Sequence, residues 1–275
     1  MPTTAEYRRL SAILREMERR ESQPLPEETE SQEFASLRSK EAASLEKFFE
    51  KKISVPQLPP EVTADKVKRW ESMGLKLHFL PEEDMKDKTH LKNWKKQPDY
   101  KTYVDATKLP ADVMTLKGGW VLVDTRQKPE YANGDQMYQN DFLAPVLEAL
   151  NKQGVIKQRK TDGTALDPKS RFGLSPEELE KPEVIAAFAK AYGVKPEQIT
   201  IQREIEFNVL GNMYHPEWGE APSNCSEWFG DPYDAGLRRL YGGRSDSGGL
   251  PYVNWFTRAS RSDHLGFRVL VRFSR

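Results

Sequence analysis

The C-terminal segment from Trp228 to Arg275 contains no Lys, Glu, Gln or Met. Lys and Glu are frequent between Met1 and Glu227, so the absence is local and does not reflect the composition of the chain. Those four side chains are among the unbranched residues that lose little rotamer freedom in a helix. Without them, and with Gly, Arg, Asp, Ser and aromatics in their place, the segment is a poor helix and must fold by strand pairing. Tyr252-Val253-Asn254-Trp255 and Phe267-Arg268-Val269-Leu270-Val271-Arg272-Phe273 alternate with period two and predict strands. Gly242-Gly243 and Gly248-Gly249 supply the turns between them.

Upstream, strand and helix signals mix. Leu75 to Leu80 alternates like a half-buried strand, and Gly118 to Asp124 reads as another. Asp141 to Lys152 carries Phe142, Leu143, Val146, Leu147 and Leu150 at helical spacing, with Pro145 tolerated in the first turn. Ser175-Pro176-Glu177-Glu178 has an N-cap, a proline at the first helical position and acids near the positive end of the dipole. Pro182 to Tyr192 continues helical and Gly193 stops it, while Lys157–Ser170 reads as a polar loop. The fold class expected from residues 70–275 is a single α+β domain with twisted antiparallel strands and two flanking helices.

Residues 1–69 are richer in charge. Thr3 and Glu6 fit a capping box, and Tyr7, Leu10, Leu14 and Met17 make one apolar stripe on a helix to about Glu21. Gln23-Pro24-Leu25-Pro26 ends it. A second helix is expected over Ser31 to Lys52, with Phe34, Leu37, Leu45, Phe48 and Phe49 on its apolar side. Val55 to Pro60 is a proline-rich linker. Two such helices need a partner for their stripes. That partner is either the body of the same molecule or, if residues 1–52 form an oligomerisation or attachment arm, another chain.

Several function classes are disfavoured at once. Lys and Arg number 42, as do Asp and Glu, and this balance argues against nucleic-acid binding by bulk charge. No stretch is apolar enough to span a membrane, and Met1 to Glu21 lacks the apolar segment of a signal peptide. The default location is cytoplasmic, or virion- or surface-associated by another route. Cys225 is the single cysteine, which excludes an intramolecular disulfide or a multi-cysteine metal site. The four histidines, His78, His90, His215 and His264, show no metal-ligand spacing. Tyr214-His215-Pro216-Glu217-Trp218 has the residue types of an acid/base pocket, but a proline-containing loop enforces no geometry between them. No phosphate-binding loop, dinucleotide fingerprint or nucleophile elbow is present.

Three segments carry a resemblance. Residues 199–209, ITIQREIEFNV, are similar to an R-L-P-T-E-A-E-W-E-Y segment, with Glu204, Glu206 and Phe207 on its Glu, Glu and Trp. Asn224-Cys225-Ser226-Glu227-Trp228 is similar to N-V-x-E-W. Gly242-Gly243, Arg258 to Arg261 and Leu265-Gly266-Phe267-Arg268 are similar to a closing G-G…R-x-x-R…I-G-F-R. In this order they resemble the formylglycine-generating-enzyme-like (sulfatase-modifying factor) family, whose fold is a variant of the C-type lectin fold. The resemblance is good over 199–275, thin over 70–198 and absent over 1–69. It implies a C-type lectin-like domain with an N-terminal helical extension. Glu204, Glu206, Glu227, Trp228, Trp255, Phe267 and Arg268 are the expected structural residues. The core is expected to contain a polar knot in which a carboxylate and a guanidinium satisfy each other under aromatic cover.

The family's oxidase branch uses a cysteine pair for copper, and its sulfoxide-synthase branch uses several histidines for iron. Neither set is present here, so the resemblance implies no catalytic residue and no transition-metal cofactor, and remains compatible with a structural Ca²⁺. Another branch resembles the variable proteins of diversity-generating retroelements, in which adenine-specific mutagenesis diversifies a C-terminal ligand-binding surface. Mutating the adenines of an Asn codon that ends in a pyrimidine never yields Lys, Glu, Gln, Met or Trp. The first four are those missing from Trp228 onward. The resemblance therefore points to residues 238–270 as the variable segment. Its expected ligand face is Tyr241, Arg244, Ser245, Asp246, Ser247, Tyr252, Asn254, Thr257, Ser260, Ser262 and His264, which would take a protein or glycan ligand. A fixed-specificity lectin-like module and a formylglycine-generating-enzyme-like oxidoreductase are the alternatives.

Overall fold

A computed structural model describes residues 31–130, 137–222 and 224–273. The helix expected between Thr3 and Glu21 lies outside the described residues. Helix α1 (Gln32–Phe49) starts where Ser31 accepts the Phe34 N–H, and ends at Glu50 in the left-handed region. Leu45, Phe48 and Phe49 are buried in the same continuous core as the rest of the chain, and Phe34 and Leu37 pack on its rim. The second stripe is thus covered by its own molecule. Helix α2 (Ala64–Ser72), absent from the sequence expectation, runs across residue 69. Of its side chains only Val67 and Trp70 are buried, too few for a legible period, and Trp70 Nε1 anchors it to the Tyr192 carbonyl at 2.8 Å.

The body is mixed α+β. It continues through β1 (Leu75–Leu80), β2 (Glu83–Asp84), β3 (Thr115–Leu116), β4 (Gly119–Asp124), α3 (Ala144–Lys152), α4 (Pro176–Leu179) and α5 (Pro182–Tyr192). Then come β5 (Ile199–Ile201), α6 (Glu204–Met213), β6 (Ser226–Tyr233), β7 (Arg238–Gly242), β8 (Val253–Thr257), β9 (Leu265–Phe267) and β10 (Val269–Arg272). Helix α4 has the full capping box, with Ser175 and Glu178 each satisfying the other's backbone N–H. Gly193 ends α5 at φ 70°. Strand β1 is not half-buried as its alternation suggests; all of it except Lys76 is buried. It is an edge strand, and Glu41 of α1 takes its outward Phe79 N–H at 3.0 Å.

The strands form two four-stranded sheets. One has the order β1-β4-β10-β5 and is antiparallel throughout. The other has the order β8-β7-β6-β9, in which β6 and β9 are parallel, a departure from the all-antiparallel expectation. The connection 258–264 leaves edge strand β8 and returns at the opposite edge, which brings β9 in along β6. The continuous strand expected over Phe267–Phe273 is broken at Arg268, and β9 and β10 belong to different sheets. All of Leu265 to Val271 is buried except for the part-exposed edge at Arg272 beyond it, so its apparent period two marks a two-sided core.

Arg268 is the reason for the break. Its Nε lies 2.9 Å from Glu227 Oε1, its Nη1 donates to the Asp124 carbonyl, and its guanidinium lies over the Trp218 ring at 4.4 Å. Tyr138 donates to Glu227 at 2.6 Å, and Trp228 Nε1 donates to the Leu174 carbonyl at 3.0 Å. Next to this knot, Arg171 pairs with Asp141 at 2.6 Å and with Asp124 at 2.8 Å. Arg171, Arg126 and Arg268 hold the Asp124 carboxyl far below its usual range despite complete burial. Glu204 and Glu206 are buried as expected. Desolvation raises Glu204 well above the carboxylate range, and Tyr100 hydrogen-bonds it.

Glu227, Trp228, Phe267 and Arg268 are at most 1% exposed. Trp255, expected with them, is only half-buried. It lies on edge strand β8, covered by the Tyr233 ring at 5.7 Å and the Arg238 guanidinium at 3.7 Å, away from the knot. Phe267→Ala should therefore cost about 3–5 kcal/mol in urea unfolding, and Trp255→Ala clearly less. Equal costs would contradict this placement.

Candidate functional site

Register across three strands builds the candidate face. Trp228 of β6 pairs with Tyr241 of β7, and Tyr241 pairs with Asn254 of β8, so the three side chains share one side of the sheet. Two residues along, Arg239 pairs with Phe256 on the same side. Val253 and Leu240 point the other way into the core, both wholly buried. Tyr241 stacks on Phe256 at 4.9 Å and meets Trp228 edge-on at 5.9 Å. Tyr252 lies edge-on to Tyr103 at 5.5 Å, and its hydroxyl accepts from Asn254 Nδ2 at 3.3 Å.

One end of the face carries the turn after β7. Gly242 passes so close to the Tyr252 carbonyl that no side chain fits, and Gly249 passes as close to the Gly219 carbonyl with φ 72°. Buried Lys128 donates to the Gly243 carbonyl and braces this turn; desolvation pushes its pKa down to about 8. Arg244 forks onto Asp246 at 2.6 and 2.9 Å, with Ser247 donating to the same carboxylate at 3.2 Å and Ser245 opening the turn. His264 is close enough for Arg244 to lower its pKa, after burial. At the other end Thr257 and Ser260 hydroxyls bond at 2.7 Å.

The structure thus brings Tyr252, Asn254, Arg244, Asp246 and their neighbours to one side, with three corrections. Thr257 shares its side of β8 with Val253 and Trp255, opposite Asn254 and Phe256, so it turns away from the face. Tyr241 and Ser262 are only 6% and 2% exposed, so neither belongs to the exposed part of the face. Tyr241 lies beneath Phe256 and Tyr252. Residues 258–264 are not a strand, so no alternation aligns Ser260, Ser262 and His264 on one side. Ser262 is turned in: its carbonyl accepts the Gly173 N–H at 3.0 Å and its hydroxyl meets His264 Nδ1 at 2.7 Å. Sequence reasoning missed Phe256 and Tyr103, 36% and 51% exposed. Phe256 follows from strand period alone, whereas Tyr103 comes from a stretch with no period at all.

A second constellation joins the Tyr214–Trp218 stretch to His78 and Glu41, a meeting invisible in sequence. His78 of β1 and His215, just after α6, face each other with 3.3 Å between their Nε2 atoms. His78 Nδ1 lies 3.1 Å from Glu41 of α1, and His215 Nδ1 lies 3.1 Å from Glu217. Tyr214 stacks on His78 at 4.2 Å and donates to Glu41 at 2.9 Å; Trp218 stacks on His215 at 4.6 Å. The loop around His215 therefore does have a fixed geometry, enforced by packing. His78, His215 and Glu41 are each at most 6% exposed. They tie α1 to the body.

Among the described residues, no group of three or more His, Cys, Asp or Glu is arranged to hold a metal ion. No described helix is long and apolar enough to cross a membrane. Cys225 is buried and donates to the Pro129 carbonyl at 3.1 Å. No family model, curated protein or solved structure matches this chain.

The histidine pair has a pH signature. Burial, then His78, Arg268 and Lys76, push the His215 pKa down to about 3. The unfolded chain takes up a proton near pH 6.5 that the folded one refuses. Stability from this group is complete above pH 6.5 and falls on acidification. The slope between pH 6.5 and 4.5 should reach at most about 1.4 kcal/mol per pH unit. Urea titrations of the wild type and His215→Gln should show a flatter profile for the variant; identical slopes would contradict the assignment.

Proposed function

We propose that this protein is a non-catalytic binding protein. On this reading it presents the outer side of the β8-β7-β6 sheet to a protein or glycan ligand, on a fold of C-type lectin type. The resemblance over residues 199–275 suggests the variable proteins of diversity-generating retroelements, with 238–270 as the diversified segment. The observation that carries the reading is a division within that segment. Leu240, Val253, Leu265 and Phe267 are wholly buried, while Asp246, Ser247, Phe256 and Thr257 are exposed and Tyr252, Asn254 and Ser260 half-exposed. Tyr offers rigid contact area at low entropic cost, and Ser, Asn and Asp offer adaptable hydrogen bonds. Such a face tolerates substitution because the core does not depend on it.

The test is the combined variant Ser247→Ala, Tyr252→Ala and Asn254→Ala. Its stability should drop by only about 0.5 kcal/mol per position. Its binding to whatever the wild type selects from protein and glycan arrays should be lost. Unchanged binding, or a chain that no longer folds, contradicts the reading.

A further inference from the structure

Beside the aromatic face, between α4–α5 and strands β5 and β6, lies an apolar cavity of about 210 Å³. Leu179, Phe188, Ile199, Ile201, Trp228 and Phe229 contribute to its walls. Trp228 belongs to both places, since the Phe256 ring contacts it at 6.3 Å from the face. An apolar cavity of roughly 150 Å³ takes benzene, so this one admits a single aromatic or branched aliphatic group. It is too small and too apolar for a sugar ring with its hydroxyls.

The mouth is charged and unbalanced. Arg239 and Arg258 both bond the one carboxylate of Glu180. The neighbouring Arg261 has its own partner in Glu178 at 3.1 Å. Behind Arg239, Asp231 is occupied by Arg203 at 2.8 Å. Arg258 is about one-third exposed and Arg239 largely buried, so the surplus positive charge is open to solvent on the Arg258 side.

We infer that the ligand of the face is a protein, and that it anchors by placing one aromatic or branched aliphatic side chain in this cavity with a carboxylate beside it on Arg258. This deepens the binding reading above and rests on it. The cavity is an apolar pocket of the kind that interface anchors fill, and the guanidinium pair fixes the register of the incoming chain.

The anchor can be tested without a known partner by using 3-phenylpropanoate and its amide as probes, followed by ligand-observed NMR on the full chain. The acid should bind about two- to fivefold tighter than the amide, and Arg258→Ala should erase that difference. Ile185→Trp, which fills the space from α5, should weaken both probes by at least about tenfold. Thr200→Trp fills it from β5 and should do the same should the first variant prove unstable. Tyr252→Ala with Asn254→Ala should leave probe binding intact, because neither residue lines the cavity. No probe binding to the wild type, or equal binding by Ile185→Trp and Thr200→Trp, overturns the anchor. Acid and amide binding alike overturns its carboxylate, and a glycan bound equally well by both filled variants overturns a protein ligand. In each case the face variants still report separately on the binding reading.

Discussion

The fold depends most on the ion pair between Glu227 and Arg268, closed at 2.9 Å and almost fully out of water. Arg268 stands at the one residue where the chain passes from β9 in one sheet to β10 in the other. Its guanidinium reaches β6 through Glu227 and β4 through the Asp124 carbonyl, so one side chain joins both sheets. Burying such a pair is expensive, and it is tolerated where the remaining donors and acceptors also find partners. Tyr138 on Glu227 and the Asp124 carbonyl on Arg268 supply most of them here.

The candidate face inherits its geometry from this junction. Trp228 follows Glu227 directly and points to the opposite side of β6, so the pair that fixes one residue in the knot aims the next at the face. Tyr241 then packs on Trp228, and Phe256 on both. Beyond them Tyr252 and Asn254 are half-exposed, and Asp246 and Ser247 are exposed. The cavity shares the same tryptophan, so anchor and face are held by one rigid element.

What the sequence made legible was what local physics determines. Ser175 and Pro176, Gly193, the strand at Gly119–Asp124 and the helix ending at Lys152 lie where caps, turns and periods put them. The knot was legible because Glu227-Trp228 and Phe267-Arg268 are short motifs with a chemical purpose. Three features were not. Helix α2 has too few apolar residues to show a period. The split of the C-terminal strand depends on where Arg268 finds its partners, which a period cannot express. His78 and His215 are far apart in sequence and meet only because β1 and the end of α6 are neighbours. Ser262 was expected on the face because strand alternation was extended into a loop, and Trp255 was expected wholly buried although its strand is an edge covered on one flank.

The central claim is that residues 238–270 combine an invariant inner half with a changeable outer half. The most direct measurement is the DNA sequence beside the coding region. The account predicts a near-copy of the stretch encoding residues 238–270, next to a reverse transcriptase gene. The two copies should differ at adenines, with the differences falling on codons such as those of Ser247, Tyr252 and Asn254. The codons of Leu240, Val253, Leu265 and Phe267 should be identical in both. The absence of such a copy, or differences concentrated on the buried codons, would contradict it.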